Sequence, residues 1–175
     1  MRRISGTTTE PLYGAEASRA IEQAALAGHP AHNLMARAGA SVALLARAVA
    51  PHARSIWVAC GPGNNGGDGL VAATHLHQAA QHSDIPLQVA VTLCATPDRL
   101  PADAAHALHL ARAAGVRIQD TPPGSFDLAI DALLGIGHLR TPEGQLAAQL
   151  QQLQASTAPV LCVDLPSGLD ADSGR

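Results

Sequence analysis

The hydrophobic and polar positions of the chain follow two periods, and their alternation predicts the fold. Short apolar runs typical of buried strands lie at about 55–60, 87–93, 116–118, 126–133 and 160–163, and helical spacing of apolar residues lies at about 15–26, 33–51, 68–81, 101–114 and 143–154. Residues 1–12 have the pattern of an irregular lead-in. Strands that alternate with helices imply a mainly parallel sheet with right-handed crossovers. We therefore expect an α/β fold: one three-layer, Rossmann-like, doubly wound domain over residues 1–175, with helices on both faces of the sheet.

Composition and charge exclude several classes of protein. Hydrophobic residues make up 47% of the 175 residues and aromatic residues only 2%, so the core must consist mainly of alanine, leucine, valine and isoleucine. The net charge of −3 and the lack of a basic patch give no reason to expect a nucleic-acid partner. No apolar run is long enough to span a membrane, and the polar residues after Met1–Arg3 do not form a secretory signal. We expect a soluble cytoplasmic protein without a membrane partner.

The reactive residue types narrow the chemistry further. The chain contains no lysine, which excludes a P-loop lysine or a lysine Schiff base within these residues. Cys60, Cys94 and Cys162 are odd in number and lack C-x-x-C spacing, so disulfides and zinc are not expected. His106 and His109 share a helix face without a third ligand at a zinc-like spacing, which favours surface histidines. The glutamines within 149–154 are expected to form a solvated helix face.

A glycine-rich run, Cys60–Leu70, joins the first predicted strand to its helix and matches the dinucleotide fingerprint G-x-G-x-x-G. Its glycines would let the backbone approach a ligand closely. Asp68, expected in the first helical turn, would repel a pyrophosphate there, and the next strand ends without the acid that holds a ribose. Asn64 and Asn65 instead offer oxygens and amide donors to a polar ring or a hard cation. The plainer alternative is a turn whose asparagines satisfy their own backbone.

Polar residues stand at the ends of three predicted strands. A strand order of 3-2-1-4-5 would bring together Asn64–Asn65, Asp131, Asp164 and Ser167 at the edge where ligands bind in doubly wound sheets. Neighbouring strands lie about 4.8 Å apart, so these groups should fall within roughly 10 Å of one another. Asp131 interrupts an apolar strand and must be paired, hydrogen-bonded or bound to a cation. A structural role, in which Asp131 caps loop amides, stays open.

Two further turns follow the fourth and fifth strands. The amides of Gly135–Gly144, together with Arg140, could bind phosphates. In the turn after the fifth strand, Pro166 places the oxygen of Ser167 near the strand end. Ser167 is not expected to be a hydrolytic nucleophile, because the chain has no G-x-S-x-G elbow around it.

Three motifs in this order resemble the NAD(P)H-hydrate epimerases: Asn64–Gly69, Asp131–Gly137 and Asp164–Gly168. Leu34–Gly39 resembles the leading helix of that family, and the resemblance covers the chain from about Leu12 to its end. In bacteria such a domain is usually the N-terminal half of a bifunctional NAD(P)H-hydrate repair enzyme. The family usually continues with further strands and a lysine-containing segment, so the resemblance implies a chain truncated at its C-terminus.

The resemblance implies an isomerase that interconverts the R and S forms of NADHX and NADPHX, the hydrates of NADH and NADPH, without redox change. It implies a potassium ion on Asn65, Asp131 and Ser167. The implied substrate contacts are Asn64, Asn65, Gly66, Gly67, Asp68, Gly135, Ile136, Gly137, His138, Leu139, Arg140, Thr141 and Asp164. Our hypothesis is that Asp164 protonates the leaving hydroxyl at C6 of the ring and, as its conjugate base, helps water return to the opposite face.

The resemblance also implies partners and leaves two alternatives. A homodimer is expected by family analogy, and so is a fused or separate ADP- or ATP-dependent NAD(P)H-hydrate dehydratase. Thr74 stands where an arginine is common in the family, which leaves the choice between NADHX and NADPHX open. The first alternative is a non-catalytic, Rossmann-like binding or scaffold module, as in the mRNA-decapping scaffolds that resemble this family. The second is a nicotinamide-dependent oxidoreductase.

Overall fold

The computed structural model describes residues 13–137 and 141–174, so the lead-in 1–12 and His138, Leu139 and Arg140 lie outside the described residues. The helices are α1 (Ala15–Ala27), α2 (Asn33–Val49), α3 (Asn64–Gln81), α4 (Ala102–Ala113) and α5 (Gly144–Ala155). The strands are β1 (Ser55–Cys60), β2 (Gln88–Leu93), β3 (Arg117–Gln119), β4 (Leu128–Ala132) and β5 (Val160–Cys162), and a short 3₁₀ turn spans Pro97–Arg99. No described helix is both long and apolar enough to cross a membrane.

The five strands form one parallel sheet in the order β3-β2-β1-β4-β5, which confirms the predicted α/β fold and strand order. The order changes direction between β1 and β4, where Ala59 lies beside Asp131. Asp131 in turn lies beside Cys162 of β5. The carboxyl ends of β1, β4 and β5 therefore meet at one edge, and this edge carries the polar residues of the site.

Both faces of the sheet are covered by apolar packing. On one face, Val58 and Ile130 pack with Leu76 of α3 and with small residues of α2 and α4. On the other face, Trp57 packs with Leu153 of α5. Apart from Trp57, the buried core is built almost wholly from aliphatic residues, cysteine and methionine, as the composition predicts.

The glutamine patch of α5 is not wholly solvated, which corrects the prediction for residues 149–154. Gln149 is only 2% exposed. Its Oε1 accepts a hydrogen bond of 2.7 Å from Oγ1 of Thr92, and Thr92 accepts one of 2.8 Å from Nε1 of Trp57. The indole needs a partner when it is buried, and this short polar chain provides one.

The helix after β1 begins at Asn64, whereas the apolar pattern predicted a start at residue 68. None of the glycines in this run has a positive φ. They permit close packing instead: a Cβ on Gly66 would lie 2.1 Å from the carbonyl oxygen of Gly61, and one on Gly69 would lie 2.5 Å from Cβ of Ala132. Glycine is a poor helix former, so the early helix start reflects tertiary packing rather than propensity.

Candidate functional site

Asp131 and Ser167 form the buried centre of the edge where β1, β4 and β5 end. Asp131 is 3% exposed and Ser167 6% exposed. The Ser167 hydroxyl donates to Oδ1 of Asp131 at 2.6 Å, and the Ser167 amide donates to Oδ2 at 2.9 Å. The amide of Leu133 also donates to Oδ1, at 3.1 Å. Asp131 therefore ties the turn after β4 to the turn after β5.

The peptide groups of Leu134 connect this pair to the helix after β1. The Leu134 amide donates to Oγ of Ser167 at 2.9 Å, and its carbonyl oxygen accepts from Nδ2 of Asn65 at 3.0 Å. Asn65, Asp131 and Ser167 thus converge around Leu134, as the strand order predicts. Their role as cation ligands is a separate matter and stays a prediction.

The chemistry of these three side chains fits a hard cation. The hydrogen-bond partners of the buried Asp131 carboxylate are two amides and a hydroxyl, and no arginine or histidine of the described residues pairs with it. A buried carboxylate without a cationic partner is costly. Carboxylate, hydroxyl and amide oxygens are the ligands of hard cations. No cluster of three or more His, Cys, Asp or Glu side chains suited to a metal occurs in residues 13–137 and 141–174.

Asp164 lies just beyond β5 and is exposed at the same edge. Its Oδ2 accepts a hydrogen bond of 2.8 Å from the amide of Ile136. A Cβ added to Gly135 would lie 2.6 Å from that oxygen. Glycine at position 135 therefore leaves room for the carboxylate, and the Ile136 amide fixes its orientation.

A cavity of about 830 Å³ opens over this edge. One wall is formed by the segments after β4 and β5, and the other by α1, α2 and the first turns of α3. Of the predicted contact residues, the lining includes Asn64, Asn65, Asp68, Gly135, Ile136, Gly137 and Asp164. Gly66 and Gly67 are buried beneath it, and Thr141 is exposed outside it. The structure therefore brings seven of the predicted residues to one cavity, which is the candidate active site.

Helix α1 contributes residues that sequence reasoning missed. Ser18, Arg19 and Glu22 line the cavity, and Nη2 of Arg19 donates to the carbonyl oxygen of Ile136 at 3.2 Å. Near the C-terminal end, Asp172 Oδ1 accepts from the amide of Ala15 at 3.1 Å. The apolar pattern predicts that α1 is a helix, but it carries no motif that would place the helix over the edge of the sheet.

Asp68 lies in the second turn of α3, which corrects its expected place in the first turn. The pKa of its carboxyl group is raised from 3.8 to about 7, first by burial and then by the negative charges of Glu22, Asp164 and Asp103. At neutral pH the carboxyl group is therefore partly protonated and can donate as well as accept a proton. The sequence prediction treated Asp68 only as a substrate contact.

A second cavity, of about 480 Å³, lies between α2, α3 and α4. Here His32 stacks on His106 with ring centroids 4.1 Å apart, and Nδ1 of His32 lies 2.6 Å from Oδ1 of Asp103. His106 is half-buried in this arrangement, which corrects its prediction as a surface histidine. This cavity does not share the polar edge of the sheet.

The chain was compared with known families, proteins and structures. Residues 31–175 match the family model described as YjeF-related protein N-terminus. Over 161 residues the chain is 42% identical to a protein of Bordetella pertussis (strain CS) named NAD(P)H-hydrate epimerase, a match that covers 91% of this chain and 67% of that protein. Over 152 residues it is 38% identical to the bifunctional NAD(P)H-hydrate repair enzyme Nnr of Thermofilum pendens, covering 81% of this chain and 28% of that protein.

The fold also matches a solved structure. A crystal structure of the yeast protein ynu0 superposes with a TM-score of 0.81 at 22% identity, covering 95% of this chain and 74% of that chain. At this identity the match supports the fold and says nothing about the chemistry of the site.

Proposed function

Because the chain belongs to the family of YjeF-related protein N-termini, we propose that it is an NAD(P)H-hydrate epimerase, an isomerase that interconverts the R and S forms of NADHX and NADPHX in nicotinamide nucleotide repair. Its 42% identity to a protein of that name supports the proposal, as does its 35% identity over 178 residues to another in Pirellula staleyi. The structural observation that carries it is one cavity lined by both Asp164 and Asp68, beside the buried Asp131–Ser167 pair.

The reaction needs an acid and a base but no redox partner. In the hydrate, the hydroxyl at C6 of the ring lies beside the ring nitrogen. When an acid protonates this hydroxyl, the nitrogen lone pair expels it as water and a ring cation is left. Water then adds to the opposite face and loses a proton to a base, which gives the other epimer. Atoms and charge balance, and the nicotinamide nucleotide is a substrate rather than a cofactor.

Asp164 is the residue to which we assign proton transfer. It is exposed to the cavity, and the hydrogen bond from the Ile136 amide occupies only Oδ2, so Oδ1 remains for the substrate. The lack of a side chain at Gly135 lets the carboxylate lie against the turn after β4, where the Ile136 amide holds it at the edge of the cavity. Geometry of this kind is the first requirement for a general acid or base.

We propose that a potassium ion is held by Asn65, Asp131 and Ser167. The support is the buried Asp131 carboxylate, whose described partners are neutral, and the convergence of oxygen-bearing side chains around Leu134. When bound, the ion supplies positive charge that stabilises this carboxylate and attracts an anionic nucleotide. Asn65 and Ser167 orient the Leu134 peptide, and that peptide leads directly into the Gly135–Ile136 turn against which Asp164 is fixed.

The phosphates of the substrate require donors, and the cavity offers two sets. The first amides of α3 have no side-chain cap, so they can bind an anion at the positive end of the helix dipole. Arg19 lines the same cavity from α1. We propose that the substrate lies along Asn64–Asp68 and along residues 135–141 of the sequence, with its nicotinamide ring toward Asp164.

The wider setting of the domain is proposed on the same basis. Relatives named as bifunctional repair enzymes, of which this chain covers 28% and 29% in two cases, support a fused or separate ADP- or ATP-dependent NAD(P)H-hydrate dehydratase as its partner. We propose a cytoplasmic location and a homodimeric state as well. Size-exclusion chromatography with light scattering tests the dimer.

The test of this function follows purified R-NADHX by NMR in the presence of the wild-type chain, Asp164→Asn and Asp84→Asn. Asp84 is exposed and lies before β2, at the opposite end of the sheet, so its variant is a matched control. We expect wild type and Asp84→Asn to form S-NADHX well above the spontaneous rate. Asp164→Asn should lose about 10²- to 10⁴-fold in rate while remaining folded.

Other outcomes of this assay identify the two alternatives. Transfer of a hydride from NADH to an added acceptor, with formation of NAD⁺, would indicate an oxidoreductase. Binding of the hydrate without any conversion by wild type would indicate a non-catalytic module. An unchanged rate in folded Asp164→Asn would remove Asp164 from the chemistry and leave the epimerase itself standing.

A further inference from the structure

Two carboxylates approach the cavity from different walls. Asp68 belongs to the helical wall, because it projects from α3, whereas Asp164 belongs to the wall formed by the segments after β4 and β5. The two are close enough for the charge of Asp164 to act on Asp68. A ring bound between α3 and the segment after β5 would have one of these carboxylates on each side.

The surroundings of Asp68 contain mainly negative charge. Glu22 from α1, Asp103 from α4 and Asp164 all act on it electrostatically. Arg19 of α1 lines the same cavity. Gly39 of α2 packs against the backbone of α3 here, and an added Cβ on it would lie 2.7 Å from the carbonyl oxygen of Asp68.

Epimerisation at C6 requires proton transfer on both faces of the ring. The hydroxyl leaves from one face, and water returns to the other. A single carboxylate on one side of a bound ring cannot reach both faces unless the ring turns over within the site. Two groups carried by different elements, each serving one face, remove this requirement.

We propose that Asp68 is the second proton-transfer group of the site and serves the face of the ring that Asp164 does not reach. This inference rests on the proposed epimerase function. In one direction Asp68 donates a proton to the leaving hydroxyl, the C6–O bond breaks, and Asp164 takes a proton from the water that adds to the other face. In the reverse direction the two residues exchange roles. Each turnover moves one proton from Asp68 to Asp164 or back, and water and bulk solvent restore the starting state.

The electrostatic environment supports this role. With its pKa raised to about 7 by burial and by neighbouring carboxylates, Asp68 exists in both protonation states near neutral pH. The active form of the pair carries a single proton, so kcat/KM should be bell-shaped with pH. On the alkaline side, the pair loses its proton near the pKa of Asp68. The apparent pKa values from the profile describe the two carboxyl groups together and not either group alone. The single proton of the pair lies either on Asp68 or on Asp164, and these two forms stay in a fixed ratio at every pH. Both directions of the reaction therefore share this profile.

The first test compares Asp68→Asn with wild type and with the exposed control Asp84→Asn. We expect Asp68→Asn to lose about 10²- to 10⁴-fold in kcat, with a KM for R-NADHX changed by less than about 3-fold, and to lose the alkaline limb of the pH profile. A merely structural role would raise KM or lower the melting temperature instead. Far-UV circular dichroism and thermal melting monitor folding.

The second test uses water labelled with ¹⁸O. In Asp68→Asn, Asp164 still serves its own face, so one epimer should exchange its C6 hydroxyl oxygen with solvent while conversion to the other epimer is lost. In wild type, exchange and epimerisation proceed together in both epimers.

Three outcomes would contradict these proposals. If the wild type is active and Asp68→Asn has the same kcat and the same pH profile, Asp68 does not have the proposed role. Equal loss of exchange in both epimers would overturn the assignment of one carboxylate to each face. Absence of epimerisation in wild type would instead contradict the proposed function.

Discussion

At the scale of single residues, the site holds two partly or fully buried carboxylates in different environments. Asp131 accepts hydrogen bonds from the amides of Leu133 and Ser167 and from the Ser167 hydroxyl. Burial, and after it the charges of nearby carboxylates, raise the pKa of Asp68 and favour its protonated form. The first arrangement suits a structural or cation-binding role, and the second suits proton transfer.

The raised pKa of Asp68 predicts that this residue destabilises the folded protein at neutral and alkaline pH. The pKa of Asp68 is about 7 in the folded protein and 3.8 in the unfolded chain. The stability that its protonated carboxyl group contributes to the folded state is therefore complete below about pH 4 and is lost as pH rises to about 7. We expect Asp68→Asn to raise the free energy of unfolding by on the order of 3 kcal/mol at about pH 8 and to change it little at about pH 4. Urea unfolding at both pH values measures this. A loss of stability at pH 8 would contradict the inferred environment.

The buried Ser167 hydroxyl should contribute far more to stability than an exposed serine in a similar contact. Ser167→Ala removes the donor to Asp131 and the acceptor for the Leu134 amide, so we expect a loss of about 2–3 kcal/mol in the free energy of unfolding. Ser173 also donates to an aspartate at 2.6 Å, but that contact is exposed. Ser173→Ala should therefore cause little change in urea unfolding. Equal losses in the two variants would show that the Ser167 network is not a buried one.

At the scale of elements, the join between β1 and α3 shows why part of the fold was predictable and part was not. The apolar run of β1 and the apolar spacing of α3 beyond residue 68 were clear in the sequence, and both elements are present. The first four residues of α3 have the sequence of a turn, Asn64–Gly67. In the helix, Gly67 packs against Met35, where a Cβ would come within 2.5 Å of Cε. That contact joins distant parts of the chain, and no local pattern encodes it.

The same packing predicts which glycine of the run is indispensable. A Cβ on Gly61 would lie 1.7 Å from the carbonyl oxygen of Leu133, so Gly61→Ala must force the ends of β1 and β4 apart. We expect a loss of about 3 kcal/mol or more in the free energy of unfolding, with a reduced melting temperature. Gly63→Ala is the matched control, because nothing lies within 4 Å of its Cβ position and its φ is −108°.

The control should cost less than about 1 kcal/mol, the difference between glycine and alanine at a helix N-cap. If Gly61→Ala is as stable as Gly63→Ala, the contact between the ends of β1 and β4 is looser than described here.

At the scale of the whole molecule, the site joins segments that are far apart in the chain. Strand order alone predicted that Asn65, Asp131, Asp164 and Ser167 would lie at one edge, because parallel strands end together where the order changes direction. The sequence could not predict that α1 covers this edge, since the Arg19 contact with Ile136 depends on the path of the chain before β1. It also could not reveal the pKa of Asp68, which is set by burial and by Glu22 and Asp103 from other helices.

The most direct test of the account measures the rate at which the wild-type chain converts pure R-NADHX to S-NADHX at about pH 7. The same assay is run in potassium buffer and in a buffer where tetramethylammonium replaces potassium. We expect conversion well above the spontaneous rate in potassium and a marked loss of that rate without it. Conversion no faster than the spontaneous rate in potassium would contradict the account at its centre.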